Sequence, residues 1–368
     1  MTASSPKELQ QNRSLEKDAE LEKGKGGGHG LPPNKHPTSF IETLVHLLKG
    51  FVGSGVFALG EGFKNVGLIL GTVLTVFIGI ACVYCEHILL KCSTTLKKRR
   101  KLSYYPDFAE TVEMCFEEGP QSLRKFAKFT GSITYFMIIF MQFGFCCVYI
   151  LFISNTSKYI SDSYGLNLDL RVHMCIMMVP LILSSLVRSL KYIVPISLTA
   201  NLCMIFGIAS TMYIVMQDLP PVSSRRYIGD LGNVPLFFGT AVYSFEGIGL
   251  VLPLKREMKN PKHFDRPLGV LNLGLVIIVS IFLMMGFFSY LKYGDDIQAS
   301  VTLNLPEKLV LSQMVRVAIG IGILFTYALM FYVPIELIWP RIAARFGPLS
   351  KPLLSELIFR IFMVFVTI

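Results

Sequence analysis

Apolar residues fall in long blocks along this chain. Runs occupy 41–63, 68–92, 129–157, 172–190, 193–216, 234–254, 269–291 and 314–340, and a ninth opens near Leu353 and is still apolar at Ile368. Short stretches carrying most of the charge separate them. A bilayer core of about 30 Å is crossed by about 20 helical residues, so each run predicts a membrane-spanning helix. Between the second and third runs, Phe108, Val112 and Phe116 recur at i, i+4 and i+8. That spacing predicts a short amphipathic helix lying on the membrane surface. Residues 1–39 are polar, with a glycine run at Gly26–Gly28, and predict a disordered tail ahead of a transmembrane domain over 40–368. No apolar core precedes a cleavage site, so no signal peptide is expected.

Composition supports this pattern. Apolar residues make up 52% of the 368 and charged residues 16%, against about 25% charged in soluble domains. A soluble enzyme and a disordered chain are both excluded. The net charge of +10 does not signal nucleic acid. Lys and Arg are divided 24 to seven between the two sets of alternate loops, which is how topology is encoded, and the bias puts the N-terminus in the cytosol. The basic run Lys97–Lys101 then reads as a topology anchor in preference to a phosphoinositide site. Of the eight cysteines nearly all, Cys115 excepted, lie in or at the ends of apolar runs, so a disulfide framework is not expected. The Cys82–Cys85 pair reads as packing, not a metal or redox site.

Two runs are interrupted. The first holds Gly50, Gly53, Ser54, Gly55 and Gly60; the sixth holds Gly239, Gly247 and Gly249 around Glu246. Glycine in a helix interior costs about 1 kcal/mol against alanine. Two such spans five helices apart point to an inverted-repeat transporter whose first and sixth helices unwind at mid-membrane. Gly53, Ser54 and Gly55 then offer amide groups at a half-helix N-terminus, suited to a carboxylate. The break over Phe245, Glu246, Gly247 and on to Gly249 offers carbonyls to an ammonium. The competing role of such glycines is close helix packing.

Ionisable residues within the spans are functional candidates. His46 lies seven residues before Gly53, about 10 Å toward the cytosol, and an imidazole exchanges protons near neutral pH. Glu246 is either a brace for the unwound backbone or a proton carrier, and Glu336, after Pro334, poses the same choice. Glu86 and His87 are expected to reach water near the inner end of span 2. Lys49 is expected to snorkel or to pair with a carboxylate. Tyr149 is placed to meet a substrate carboxylate, and Phe245 to gate the pocket.

Several segments resemble the proton-coupled amino acid transporters of the amino acid/auxin permease superfamily: PLFFGTAVYSFEGIGLVLP at 235–253, SVTLNLP at 300–306, LFTYALMFYVP at 324–334, GFCCVYILF at 144–152 and VHLLKGFVGSG at 45–55. The resemblance runs from about residue 38 to the end, with an insect-like flavour. It implies an all-α, polytopic fold of the leucine-transporter inverted-repeat type, with about nine of eleven helices within this sequence and the second repeat incomplete. It also implies uptake of small neutral amino acids (glycine, alanine, proline) with a proton toward the cytosol, at the plasma membrane or in lysosomes and endosomes. His46 matches the family's presumed proton-coupling residue, Gly53–Gly55 its carboxylate loop, and Phe245–Gly247 its broken sixth helix. Where relatives commonly read L-P-x-A, this chain has Ala58, Leu59, Gly60 and Glu61. Gly60 is expected to loosen the second half of span 1, and Glu61 adds a carboxylate near the outer vestibule. The outer 3–4 and 7–8 loops lack the cysteines that pair in vertebrate members.

The expected partners are small neutral amino acids, protons and the bilayer, with no cofactor, no metal and no nucleic acid. The alternatives are sodium coupling or exchange on the same fold, and an amino-acid-sensing membrane protein with little flux. No nucleophile–base pair, metal cluster or cofactor motif suggests an enzyme.

Overall fold

The computed structural model describes residues 37–186, 190–346 and 352–367, and no strand forms among them. The 1–39 tail, apart from its last three residues, lies outside the described residues. So do residues 187–189, near the end of the fourth run. Among the described residues, all nine apolar runs are helical. The first is a bent pair, α1 (Phe40–Phe51) and α2 (Gly55–Val66), meeting at 53°. Then come α3 (Leu68–Arg99), the surface helix α4 (Phe108–Glu117), the single turn α5 (Gln121–Arg124), α6 (Ala127–Ser163), α7 (Leu170–Ser185) and α8 (Leu190–Val215). The sixth run is again a broken pair, α9 (Val234–Ser244) and α10 (Ile248–Glu257). α11 (Val270–Tyr293), α12 (Val310–Phe346) and α13 (Pro352–Val366) complete the chain. Among the described residues, six helices are long and apolar enough to cross a membrane, or seven with the α1–α2 pair taken as one span. The chain is a multi-pass integral membrane protein. Large apolar side chains such as Phe77, Phe140, Leu202 and Val276 stand at least 60% exposed, as lipid-facing positions do.

Local chemistry sets the helix ends. Ser39 and Glu42 form a reciprocal capping box that starts α1, and Asp107 and Glu110 form another that starts α4. Gly67, at φ +86°, turns α2 into α3; a side chain there would strike Gly229 N at 2.8 Å and Arg226 O at 2.9 Å. Because the spans alternate in direction, two faces are distinguished: a near face, where α1 begins, and a far face, where α2 ends.

The helices form two packed groups. In the first, α2 lies between α9 and α11 while α3 packs on α11; Val56, Phe57, Leu59, Phe63 and Val66 of α2 are fully buried. In the second, α12 packs on α6, α7 and α8, and α13 on α7. At the near face the chain ahead of α1 is tied to the end of α10: Thr38 N donates to Glu257 O and Lys259 N to Thr38 O, each at 2.9 Å. The near halves of the two broken spans are therefore coupled.

Two expectations change, and two others gain detail. Gly60 does not loosen span 1: α2 runs unbroken through it, and a Cβ there would meet Ile297 and, at 2.9 Å, Ser289. Glu86 does not reach water; it is 1% exposed, because the buried face of α3 continues through it. Lys49 pairs with no carboxylate among the described residues. The 97–101 run is partly consumed by local contacts. Lys97 lies 3.9 Å over the Tyr105 ring, and Arg100 pairs with Glu117 (2.8 Å) and Glu118 (3.0 Å), clamping the end of α3 to the end of α4. The Arg100 guanidinium holds the Glu118 carboxyl below its ordinary pKa.

Candidate functional site

The two breaks meet. Between α1 and α2 the helix opens over 52–54, and between α9 and α10 over 245–247. A small cavity of about 20 Å³ sits at their junction, lined by Gly53, Ser54, Gly55, Glu246, Tyr149 and Tyr243 with Gly50, Phe51, Phe145, Ser244 and Met330. That volume holds about one water molecule. α2 begins at this cavity, and the first turn of a helix leaves its N–H groups without intrahelical partners. The N-terminal end of α2 is thus an anion-favouring wall. The Ser54 hydroxyl hydrogen-bonds the Tyr243 hydroxyl across the cavity. Ser244 Oγ donates to Gly55 O (2.9 Å), locking α9 to α2.

The glycines divide between the two roles open to them. Gly55 serves packing, since its Cβ would stand 2.7 Å from Ser244 Cα. Gly247 also serves packing, against the Phe51 ring. Gly53 faces space instead: the nearest atom to a Cβ there is the Tyr149 hydroxyl, at 3.5 Å.

Of the site residues expected from sequence, Gly53, Ser54, Gly55, Tyr149 and Glu246 come together around the cavity. Glu246 lines the cavity and makes no hydrogen bond or ion pair among the described residues. Phe245 turns away, its ring 4.9 Å from that of Phe282 and against Gly79. Gly247 lies behind the cavity. His46 sits apart on an exposed face of α1, one turn from Glu42. The backbone of Glu336 is in α12, and its side chain lies outside the described residues. Sequence reasoning missed Tyr243, Ser244, Phe145 and Met330. Tyr243 was the findable one, a phenol three residues before Glu246 in an otherwise apolar run. Phe145 precedes Tyr149 by one turn and stacks on Tyr243 at 5.4 Å.

A second, larger cavity of about 810 Å³ opens at the near face between α4, α6 and α12. Tyr135 and Ile139 of α6 line it, on the same helical stripe as Tyr149 of the central cavity. Carboxylates of α4 (Glu110, Glu113) and guanidinia of α12 (Arg341, Arg345) form its rim. Burial raises the Glu110 pKa above its ordinary value, and the neighbouring Asp107 charge adds to this. Between the cavities Gln142 donates to Met330 Sδ at 2.8 Å.

A site enclosed by two broken helices, in an all-α polytopic bundle, is the arrangement of a solute carrier. A family model described as "Transmembrane amino acid transporter protein" matches residues 36–368, and the chain belongs to that family. It is 37% identical over 335 residues to the proton-coupled amino acid transporter-like protein pathetic of Drosophila melanogaster, covering 91% of this chain and 70% of that protein. It is 27% identical over 321 residues to amino acid transporter ANT1 of Arabidopsis thaliana, covering 83% and 70%.

Proposed function

We propose that the chain carries small neutral amino acids together with a proton toward the cytosol. One observation carries this reading: the N-terminus of α2, an unpaired carboxyl group (Glu246) and two phenols (Tyr149, Tyr243) converge on one mid-membrane cavity. The α2 end and the Tyr149 hydroxyl receive the substrate carboxylate. Glu246 and the free carbonyls of the break receive its ammonium. Gly53 keeps the floor open, and the tight walls of Phe51, Phe145 and Met330 favour short side chains. The Drosophila relative, named a proton-coupled amino acid transporter-like protein, supports coupling to protons. His46 and Glu246 are the proposed proton-coupling groups, with Glu246 in the site and His46 about 10 Å along α1.

In this reading the near face is cytosolic, in line with the basic loops. The larger cavity is then the exit vestibule, and the Gln142–Met330 contact is the thin closure between it and the bound substrate. A proton-driven importer of this kind works equally at the plasma membrane and in an acidic organelle. The test is uptake of glycine, alanine and proline in proteoliposomes at acidic and neutral pH, with and without sodium. Acid-stimulated, sodium-independent uptake is expected. Uptake that follows sodium and ignores pH would replace proton coupling with sodium coupling. Binding without flux would make the protein a sensor.

A further inference from the structure

Glu86 is buried in the near half of α3 without any compensating group. It is 1% exposed, and its Oε2 has no hydrogen-bond partner. No ion pair reaches it among the described residues. An ionised carboxylate left so would lack both water and counter-charge, at a cost of several kcal/mol, so the neutral acid is the form this environment accepts. Such a group persists in a membrane helix only with a reason, and packing is not one: leucine or methionine would fill the space better.

Its position supplies the reason. Residues seven apart share a helix face, and Gly79 lies seven residues before Glu86. A Cβ at Gly79 would stand 3.5 Å from the Phe245 ring, and Phe245 is joined directly to Glu246 in the central cavity. Glu86 is thus about two helical turns, or about 10 Å, closer to the near face than the broken span. Further along α3 the polar groups resume. Ser93 Oγ donates to Pro106 O (3.3 Å), and Thr94 Oγ1 receives Lys255 Nζ (3.1 Å), which also pairs with Asp265 (2.8 Å). Glu86 stands between the site carboxyl and this near-face polar cluster.

The other titratable groups around it are identifiable. On α3 they are Cys82, Tyr84, Cys85, His87, Lys91 and Cys92, and His87 is engaged by Asn272 at 2.7 Å. α10 brings Lys255, already neutralised by Asp265, with Arg256, engaged by the Tyr105 carbonyl, and Glu257. α4 brings Glu110, Glu113, Cys115 and Glu117, and α9 brings Tyr243. α2 brings Glu61 and Lys64 in the far half, and α11 brings none in its near half.

We infer that Glu86 is a proton-carrying residue of the transport cycle, holding the proton as a neutral acid while the near side is closed and releasing it when that side opens to water. The step is an O–H bond broken at the carboxyl and a proton passed to water; no electron moves. This rests on the proton-coupled reading above, and one experiment separates the two. Wild-type chain and Glu86→Gln are reconstituted in proteoliposomes. Amino-acid-driven proton flux, pH-stimulated uptake and counterflow exchange of labelled substrate are then measured. Glutamine keeps the shape and the neutral charge, so exchange is expected to persist. Proton flux and acid stimulation are expected to fall about tenfold or more, the scale of ordinary coupling between sites. Wild-type proton flux in Glu86→Gln overturns the inference alone. Absence of proton flux in the wild type overturns the proton-coupled reading and this inference with it. Should Glu86→Gln fail to fold, Glu86→Asp decides: it keeps the acid and withdraws it by one methylene. A displaced pH profile is then expected, and an unchanged one refutes the role.

Discussion

Gly53 and Gly55 stand two residues apart in one break, yet substituting them by alanine should damage different things. At Gly55 the new methyl would lie 2.7 Å from Ser244 Cα and 2.8 Å from its Oγ. The obstruction is backbone, which cannot swing aside, and the crowding also strains the Ser244–Gly55 hydrogen bond. Overpacking of this kind costs about 1–3 kcal/mol. At Gly53 the methyl meets only the Tyr149 hydroxyl, at ordinary contact distance, and φ is not in the left-handed region. Removing unfolded-state freedom there should leave stability level or raise it by about 0.4–1 kcal/mol. The methyl nevertheless fills a cavity with room for about one water. It screens the first amides of α2 from an incoming carboxylate, and losing one charged hydrogen bond costs about 1.5–3 kcal/mol. Apparent affinity should therefore fall about 10- to 150-fold. The assay pairs thermal unfolding in detergent with concentration-dependent uptake in proteoliposomes. Gly53→Ala should be stable and weak in transport, and Gly55→Ala unstable. Equal stability of the two variants, or wild-type affinity in Gly53→Ala, would refute the division of the glycines into one that faces substrate and one that packs.

Replacing Arg316 by Lys should be costly. The guanidinium is fully buried, donates to the Thr302 carbonyl at 3.0 Å and to that of Leu305, and lies 4.2 Å over the Tyr159 ring; lysine cannot reproduce that fork, and loss of one such charged hydrogen bond, about 1.5–3 kcal/mol, is expected in thermal unfolding. Arg341→Lys, at the exposed counterpart 3.8 Å over Tyr135, should cost under about 1 kcal/mol in the same scan. Asp265→Asn leaves Lys255, 3% exposed, without its counter-ion and should destabilise by about 3–5 kcal/mol; a melting point unchanged from wild type would contradict the pairing. The Arg100–Glu118 clamp depends on a carboxylate whose pKa is lowered on folding, so its contribution is complete above the unfolded value near 4.3. It is lost only as pH falls through the lower folded value, and limited proteolysis of the 93–128 segment should therefore be insensitive to pH between neutral and mildly acidic conditions.

The helices were legible because a membrane span is written in run length, and run length needs no tertiary information. The breaks were legible for a related reason: glycine clusters are conspicuous in otherwise apolar runs. The surface helix α4 followed from a three-residue apolar stripe, and the capping box at Asp107 and Glu110 completes it. Which side chains line the cavity was only half legible. Gly53, Ser54 and Glu246 belong to the breaks themselves. Tyr243 and Met330 reach the cavity by the rotation of α9 and the packing of α12, neither of which leaves a mark on the sequence. Phe245 shows the limit from the other side: it occupies the break, but its ring follows the α11 surface toward Phe282. Burial of Glu86 was misread for the same reason. Proximity to the end of a run suggests water, whereas the continuing contact of α3 with α11 decides the matter.

The two ends of the α6–α12 contact carry the same pair of residue types in unequal states. Tyr135 and Tyr159 lie at opposite ends of α6, and Arg341 and Arg316 at the corresponding ends of α12, each guanidinium over a tyrosine ring. An antiparallel pair with matching contacts at both ends is what an inverted repeat produces. At the far face the arginine is fully buried beneath the 301–305 turn, which also packs against α2. At the near face it stands exposed on the rim of the larger cavity. The far end is sealed by a loop that bridges both helix groups, and at the near face α4 bridges them, packing on α6 of one group and on α3 of the other. Thr38 and Glu257 tie α1 to α10 there, within one group only. Along the α6–α12 contact between these ends, Gln142 donates to Met330 Sδ, and Met330 also lines the central cavity.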